Sequence, residues 1–282
     1  MRAIDAEPSY SGPYQRGLHP THSVIVPRGV ARDVTRTALQ LHTLRNLDEP
    51  LARKLDRAAN AGYAGVQFTP DFDGLPAETV RDLLADRGLE VAGCHVGLEP
   101  LEESYEETTA FYRTIGCRDL VISSYDREAF TSDAGVREVV DRLSAVGARL
   151  ADDGFALHYH NHHFEFEDVD GEWAYDRFFA RTVGTVDPEV DTGLAYCGGA
   201  DPAALIDRYG DRIELIHLTD TIPGADETLH VDLGDGEVDL AACVAAARAA
   251  DVPWLIYENG RTDTPSASIE AAADVLSDLL GE

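Results

Sequence analysis

A chain of 282 residues with 44% hydrophobic content is long enough for one large α/β barrel or two small domains, and that content excludes wholesale disorder. No apolar run approaches the roughly 20 residues that span a bilayer, and the opening MRAIDAEPSY lacks the apolar core of a secretory signal, so the expectation is a cytoplasmic protein without a membrane partner. The balance of 23 basic against 52 acidic residues, net charge −29, argues against a nucleic-acid-tracking surface and predicts salt adaptation, because at about molar salt the Debye length falls to about 3 Å and surface repulsion stops opposing the fold.

Residues 1–36 hold SYSGPYQRGLHPTHSVIVPRG, rich in Pro, Gly and Ser and without a period. They read as a loosely ordered extension, with His19 and His22 as bystanders. From residue 38 short apolar segments alternate with amphipathic ones. The strand candidates are ALQLH (38–42), AGVQF (64–68), EVAGCH (90–95), DLVISS (119–124), FALHYH (155–160), TVDPEVD (185–191), RIELIHL (212–218) and PWLIYE (253–258). Between them lie helix candidates whose apolar positions recur at three and four: LDEPLARKLDRAANAG, PAETVRDLLADRGL, LEESYEETTAFYRTIG, SDAGVREVVDRLSAVGARLADDG, GEWAYDRFFARTVG, DPAALIDRYG, LAACVAAARAAD and SIEAAADVLSDLLG. Asp201 before Pro202 and Ser132 before Asp133 are N-cap signals, and Gly62, Gly88, Gly116 and Gly154 are stop signals. Eight strands and eight helices in strict alternation predict an α/β fold, a closed (β/α)8 TIM barrel over residues 37–282. No G-x-G-x-x-G follows the first strand, which counts against a dinucleotide fold.

In such a barrel the reactive groups sit at the C-terminal ends of the strands. Those ends offer His42 with Arg45, His95, the trio His158, His160 and His162 followed by Glu165, then Asp191, His217 with Asp220, and Glu258. Each carboxylate taken singly is as readily a structural acceptor as a functional group. Several converging without compensation would repel and protonate, and a divalent cation resolves that conflict. Three carboxylates and one imidazole form a hard site suited to Mn²⁺, Mg²⁺ or Co²⁺, with Zn²⁺ as an alternative. Same-face strand residues are about 6.6 Å apart, so one ion with bonds of about 2.1 Å does not take all three histidines. The rest of the trio reads as substrate binders or proton carriers. Lys54 is the sole lysine, which disfavours Schiff-base and pyridoxal chemistry. Cys94, Cys117, Cys197 and Cys243 form no C-x-x-C pair and read as buried free thiols.

LQLHTLR, AGYAGVQF, LHYHNHHFEF, DTGLAYCGGADP, RIELIHLTD and LGDGEVDLAA followed by PWLIYENG together resemble the xylose-isomerase-like TIM barrel family, from about residue 38 to the C-terminus. The resemblance implies one divalent metal held by Asp191, His217 and Glu258 with a ligand from the fifth strand, expected at Glu165 with His158 or His160 as the substitute. It implies isomerisation or epimerisation of a sugar, sugar phosphate or polyol through a metal-stabilised enediolate, or dehydration of a ketosugar on the same site. Glu165 or Glu258 would move the proton and His160 or His162 would shuttle it, while His42, Arg45, His95, His158 and Asp220 would bind substrate. Endonuclease IV-like chemistry and a non-catalytic sugar-binding barrel are the competing readings, and a homo-oligomer is left open. Thr219 stands where related proteins carry a lysine.

Overall fold

The computed structural model describes residues 35–224 and 229–281. The extension expected over residues 1–36 lies outside them except for Thr35 and Arg36, as do His19 and His22. In chain order the strands are β1 (Arg36–Gln40), β2 (Gly65–Phe68), β3 (Glu90–His95), β4 (Asp119–Ile122), β5 (Ala156–His160), the short β6 (Asp168–Val169) and β7 (Glu172–Trp173), β8 (Asp187–Asp191), β9 (Leu215–Leu218) and β10 (Trp254–Tyr257). All but β6 and β7 close into one barrel in the order β1-β10-β9-β8-β5-β4-β3-β2, with every barrel pairing parallel. The expected eightfold α/β barrel is therefore the fold.

The period-two alternation of side chains sorts these strands into two faces. Outward residues such as Leu39, Val66, Leu120, Tyr159, Ile216 and Leu255 join the main apolar core. There they meet helices including α1 (Leu51–Asn60), α2 (Ala77–Ala85), α3 (Leu98–Glu103), α4 (Tyr105–Thr114) and α5 (Asp133–Asp152). The later helices are α6 (Ala174–Arg181), α7 (Thr192–Cys197), α8 (Pro202–Tyr209), α9 (Leu240–Ala249) and α10 (Pro265–Leu280). The long α5 starts where Ser132 Oγ accepts the Gly135 N–H at 3.2 Å, and it buries Val136, Val139, Leu143 and Leu150 on one face. Each such side chain contributes about 1.5–3 kcal/mol on burial, and Leu143→Ala would cost about 2–5 kcal/mol.

Inside the barrel the lower layer is apolar: Ala38, Ala92, Val121, Leu215, Trp254 and Ile256. Trp254 fills the N-terminal end under the Arg36 guanidinium, 4.0 Å from the ring centroid. A Cβ at residue 65 would lie 2.9 Å from that indole, so the large ring needs Gly65 opposite. The upper layer is polar and holds the site.

Local structure departs from expectation in identifiable places. The first strand stops at Gln40, because the side chain of Gln40 accepts the His42 N–H at 3.1 Å and starts a 3-10 turn over Leu41–Leu44. A 3-10 turn at Gly210–Arg212 delays the seventh barrel strand to Leu215. The sixth carries Pro188 as its second residue, next to the strand start, where a missing N–H costs least. Asp170 and Gly171, at φ 55° and 86°, turn a β6–β7 hairpin, as an Asp-Gly type I′ turn does, so the helix expected from Gly171 begins only at Ala174. Ser104 separates α3 from α4 within the stretch expected as one helix. Cys94, Cys117 and Cys243 are buried free thiols and Cys197 is half-buried. No described helix is long and apolar enough to cross a membrane.

Candidate metal centre

Strand ends deliver four donors to one point. His160 closes β5, Asp191 closes β8, His217 lies on β9 and Glu258 follows β10. One ligand atom from each lies within 4.8 Å of the others, and all four residues are buried. His217 Nδ1 is 3.1 Å from Glu258 Oε2 and 3.2 Å from His160 Nε2. His160 Nε2 is 3.5 Å and His217 Nδ1 4.0 Å from Asp191 Oδ2.

The two oxygens of Asp191 have different tasks. Oδ1 caps α7 by accepting the Leu194 N–H at 2.7 Å, and it accepts the Thr219 hydroxyl at 2.6 Å. Oδ2 is buried without a hydrogen-bond partner. A bare carboxylate oxygen aimed at two imidazoles is costly unless a cation completes it, so the donors fit a divalent metal. Asn161 holds Asp191 in place from behind, donating to its carbonyl at 3.2 Å and accepting its N–H at 3.0 Å. Thr219, where a lysine was the family expectation, supports Asp191 and also accepts the Gly193 N–H at 2.8 Å.

Charge follows geometry. Burial alone would lower the His160 pKa, but the Asp191 carboxylate beside it, with Glu189 and Glu258, raises it to about 9. Burial opposes ionisation of Asp191 and Glu258, yet the adjacent His160 and His230 hold the first, and His217 the second, well below the usual carboxylate range. Burial, reinforced by His160, pulls His162 down to about 3.

Glu165, expected as the fifth-strand ligand, lies outside the group of four donors. β5 ends at His160 and the chain turns, leaving Glu165 in a 3-10 turn over Phe164–Phe166. Its carboxylate accepts the Tyr159 hydroxyl at 2.7 Å and the His162 N–H at 2.8 Å, and burial pushes it up to about 7. His160, the substitute, stands in the donor group. The four grouped donors are two imidazoles and two carboxylates, a softer set than the expected three-to-one.

His158 and Asp220, expected to bind substrate, are engaged elsewhere. His158 is fully buried one layer below His160, with Nε2 3.0 Å from Asp119 Oδ1. Asp220 accepts the backbone N–H groups of Thr221, Gly234, Gly236 and Val238 at 2.9–3.1 Å, so no lone pair is left for a ligand. The other expected residues border the donors. His95 stacks parallel to His217 with centroids 5.5 Å apart. His162 stands edge-on to His160 at 5.4 Å and stacks on Phe164 at 5.3 Å. Half-buried His42 feels Glu258, His95 and His230, its pKa lowered chiefly by burial. Arg45 donates to the carbonyls of His42, at 3.1 Å, and Gly260.

Sequence reasoning missed His230, on the β9–α9 loop, with Nε2 3.6 Å from Asp191 Oδ2. It also missed a buried amide and carboxylate layer under the donors. Gln40 Nε2 donates to Gln67 Oε1 at 2.6 Å, Gln67 Nε2 donates to Glu189 Oε1 at 2.5 Å, and His95 Nε2 lies 3.1 Å from Glu189 Oε2. Strand parity was the available signal, since Gln40 and Glu189 each stand two residues before a site residue.

Comparison with known proteins bears on the family and the fold. Residues 55–279 match the family described as xylose isomerase-like TIM barrel. An inosose dehydratase of Lacticaseibacillus casei is 26% identical over 246 residues, 72% of this chain and 80% of that one. A sugar phosphate isomerase/epimerase from Parabacteroides distasonis superposes with TM-score 0.72 at 19% identity, over 88% of this chain and 95% of its own. The probable 3-DHS dehydratase AsbF from Bacillus anthracis gives TM-score 0.72 at 14% identity, over 86% and 99%. Both structural likenesses are likenesses of fold.

Proposed function

Since this chain belongs to the xylose isomerase-like TIM barrel family, we propose that it is a metal-dependent enzyme that moves a proton next to a carbonyl of a sugar- or polyol-like substrate, giving isomerisation or epimerisation. The observation that carries this reading is the convergence of His160, Asp191, His217 and Glu258 on one buried point. His160, Asp191, His217 and Glu258 would hold a divalent cation, which would supply Lewis acidity that makes a C–H beside a carbonyl more acidic. Glu258, one of the four grouped donors, takes that proton. His162, neutral through burial, passes a proton between substrate oxygens. His42, Arg45 and His95 orient the hydroxyls at the mouth, and the apolar wall of Phe164 helps to exclude water. Mn²⁺ or Co²⁺ is the ion the donor set favours.

The test is solvent deuterium uptake into a panel of ketoses and cyclic polyol ketones with Mn²⁺ present. Incorporation at the carbon beside the carbonyl, lost in Glu258→Gln, is the expected result. No exchange across the panel overturns the proposal.

A second reading, loss of a β-hydroxyl after the same first step, is favoured by His230. Its Nε2 lies 3.6 Å from Asp191 Oδ2, where an imidazole N–H beside the centre would serve as the acid that helps to expel water. The likeness to an inosose dehydratase points the same way. Appearance of an ultraviolet-absorbing unsaturated ketone, rather than an isomeric sugar, would select this outcome.

A further inference from the structure

His217 has two ring nitrogens and only one of them faces the four donors. Nδ1 points at Glu258, His160 and Asp191. Nε2 points away, 2.6 Å from Gln67 Oε1 and 3.4 Å from Glu189 Oε2. An imidazole ligates only through a nitrogen that carries no proton, so the position of the His217 proton decides whether the centre can form.

We infer that Glu189, Gln67 and Gln40 are positioning residues that keep the His217 proton on Nε2 and so leave Nδ1 free to bind the metal. The chain of hydrogen bonds has a single direction. A carboxylate only accepts, so Glu189 Oε1 obliges Gln67 to present its amide nitrogen, at 2.5 Å. Gln67 then presents its oxygen to the other side, where it accepts from Gln40 Nε2 at 2.6 Å and from His217 Nε2. Gln40 is held in turn, because its own oxygen accepts the backbone N–H of His42 at 3.1 Å. The charged Glu189 at one end and a backbone N–H at the other fix both amides, and these fix the imidazole. All three side chains are fully buried, so water does not offer an alternative set of partners. His95, Glu189 and His217 also lie close enough to suggest a second cation group. A protonated Nε2 on His217 makes that group a support for the first centre instead of a second one.

This inference rests on the metal-centre reading, and its test separates the two. Glu189→Gln replaces the acceptor with an amide that has only one oxygen for two donors, Gln67 Nε2 and His95 Nε2. Gln67 is then released to turn its nitrogen toward His217, which moves the proton to Nδ1. Imidazole ¹H–¹⁵N correlation spectra of the cation-free full chain, assigned against His217→Gln, report the tautomer directly. Wild type and the charge-preserving Glu189→Asp should show protonated Nε2, and Glu189→Gln protonated Nδ1 or a mixture. Calorimetric titration with Mn²⁺ should then show affinity lower by about 10–100-fold in Glu189→Gln, the range for lost outer partners of a metal ligand. If that variant does not fold, Glu189→Met removes the carboxylate acceptor at similar volume, no longer fixes the orientation of Gln67, and should give the same tautomer mixture. Protonated Nε2 persisting in the folded variants overturns the inference, as does Mn²⁺ affinity within about threefold of wild type. A wild type that binds no cation sinks the metal reading, while the tautomer spectra still decide the role of Glu189.

Discussion

Gly260 donates its backbone N–H to His230 Nδ1 at 3.2 Å, so the neutral His230 ring carries its proton on Nε2, 3.6 Å from Asp191 Oδ2. A ring fixed in this way is a proton donor beside the metal centre rather than one of its ligands. His230→Gln is therefore expected to lower turnover by about 10²–10⁴-fold while Mn²⁺ affinity stays within about tenfold. Steady-state kinetics beside a metal titration check this, and loss of metal binding ahead of turnover would make His230 a ligand.

The donors themselves should behave differently. Glu258→Gln and His217→Ala each remove one of the four groups in contact, and each should cost well over the roughly 10–100-fold in metal affinity typical of an outer-layer change. Metal content of the purified variants by elemental analysis, with circular dichroism as a check on folding, tests it.

Metal binding should also depend on pH through His160. Its pKa of about 9 in the cation-free protein means that a proton must leave before Nε2 can ligate. Affinity should rise by about tenfold per pH unit between about 7 and 9 and level off above, and His160→Gln should lose that slope. In the absence of cation the sign for stability is opposite. A group whose pKa is raised on folding stabilises below its unfolded value near 6.5, and that contribution disappears as pH rises through about 9. Calorimetry at several pH values measures both.

Asp220 gives the clearest contrast between binding substrate and holding the fold. Four backbone N–H groups, those of buried Thr221 and Val238 among them, depend on its carboxylate. Asp220→Ala should destabilise the protein by about 3 kcal/mol, or about 6–12 °C in Tm. A variant with unchanged Tm and a raised KM would restore the substrate-binding expectation.

Salt should stabilise the chain. Its net charge of −29 produces self-repulsion that is screened within about 3 Å at molar ionic strength, and Tm is expected to climb steeply with KCl. A flat response would mark an ordinary acidic protein. Local pairing does not replace screening: 23 basic residues stand against 52 acidic ones, and Asp133 alone engages Arg137, Arg177 and Arg181 at 2.6–2.9 Å.

The barrel was legible because its strands carry an apolar face of period two and its helices apolar positions at three and four, with the N-cap signals at Ser132 and Asp201 realised in the fold. Helix α7 was not, since TGLAYC is one short turn whose start is set by Asp191, a residue read for its charge and not as an N-cap. Asp191, His217 and Glu258 were readable from their places at strand ends, as those places face the barrel mouth by construction. Glu165 was expected from the family resemblance and not from strand parity, and the fold sets it in a 3-10 turn beyond the end of β5, outside the group of four donors. His230 was invisible for a related reason: it sits on a loop, 12 positions beyond the last residue of β9 (Leu218), and only folding returns it to Asp191. Glu189 and Gln67 look like ordinary strand residues until the barrel closes and sets them against each other.

The bonds from Asp220 to the N–H groups of Gly234, Gly236 and Val238 tie that returning stretch into a knot around one carboxylate. At its tightest point a Cβ on residue 236 would fall 2.1 Å from Asp220 Oδ1. Library selection across this loop should therefore find residue 236 frozen as glycine and residue 234, at φ 92° with open space around it, merely reluctant to change. The free exchange of side chains that lets such loops acquire new specificities is confined to the segment outside the knot.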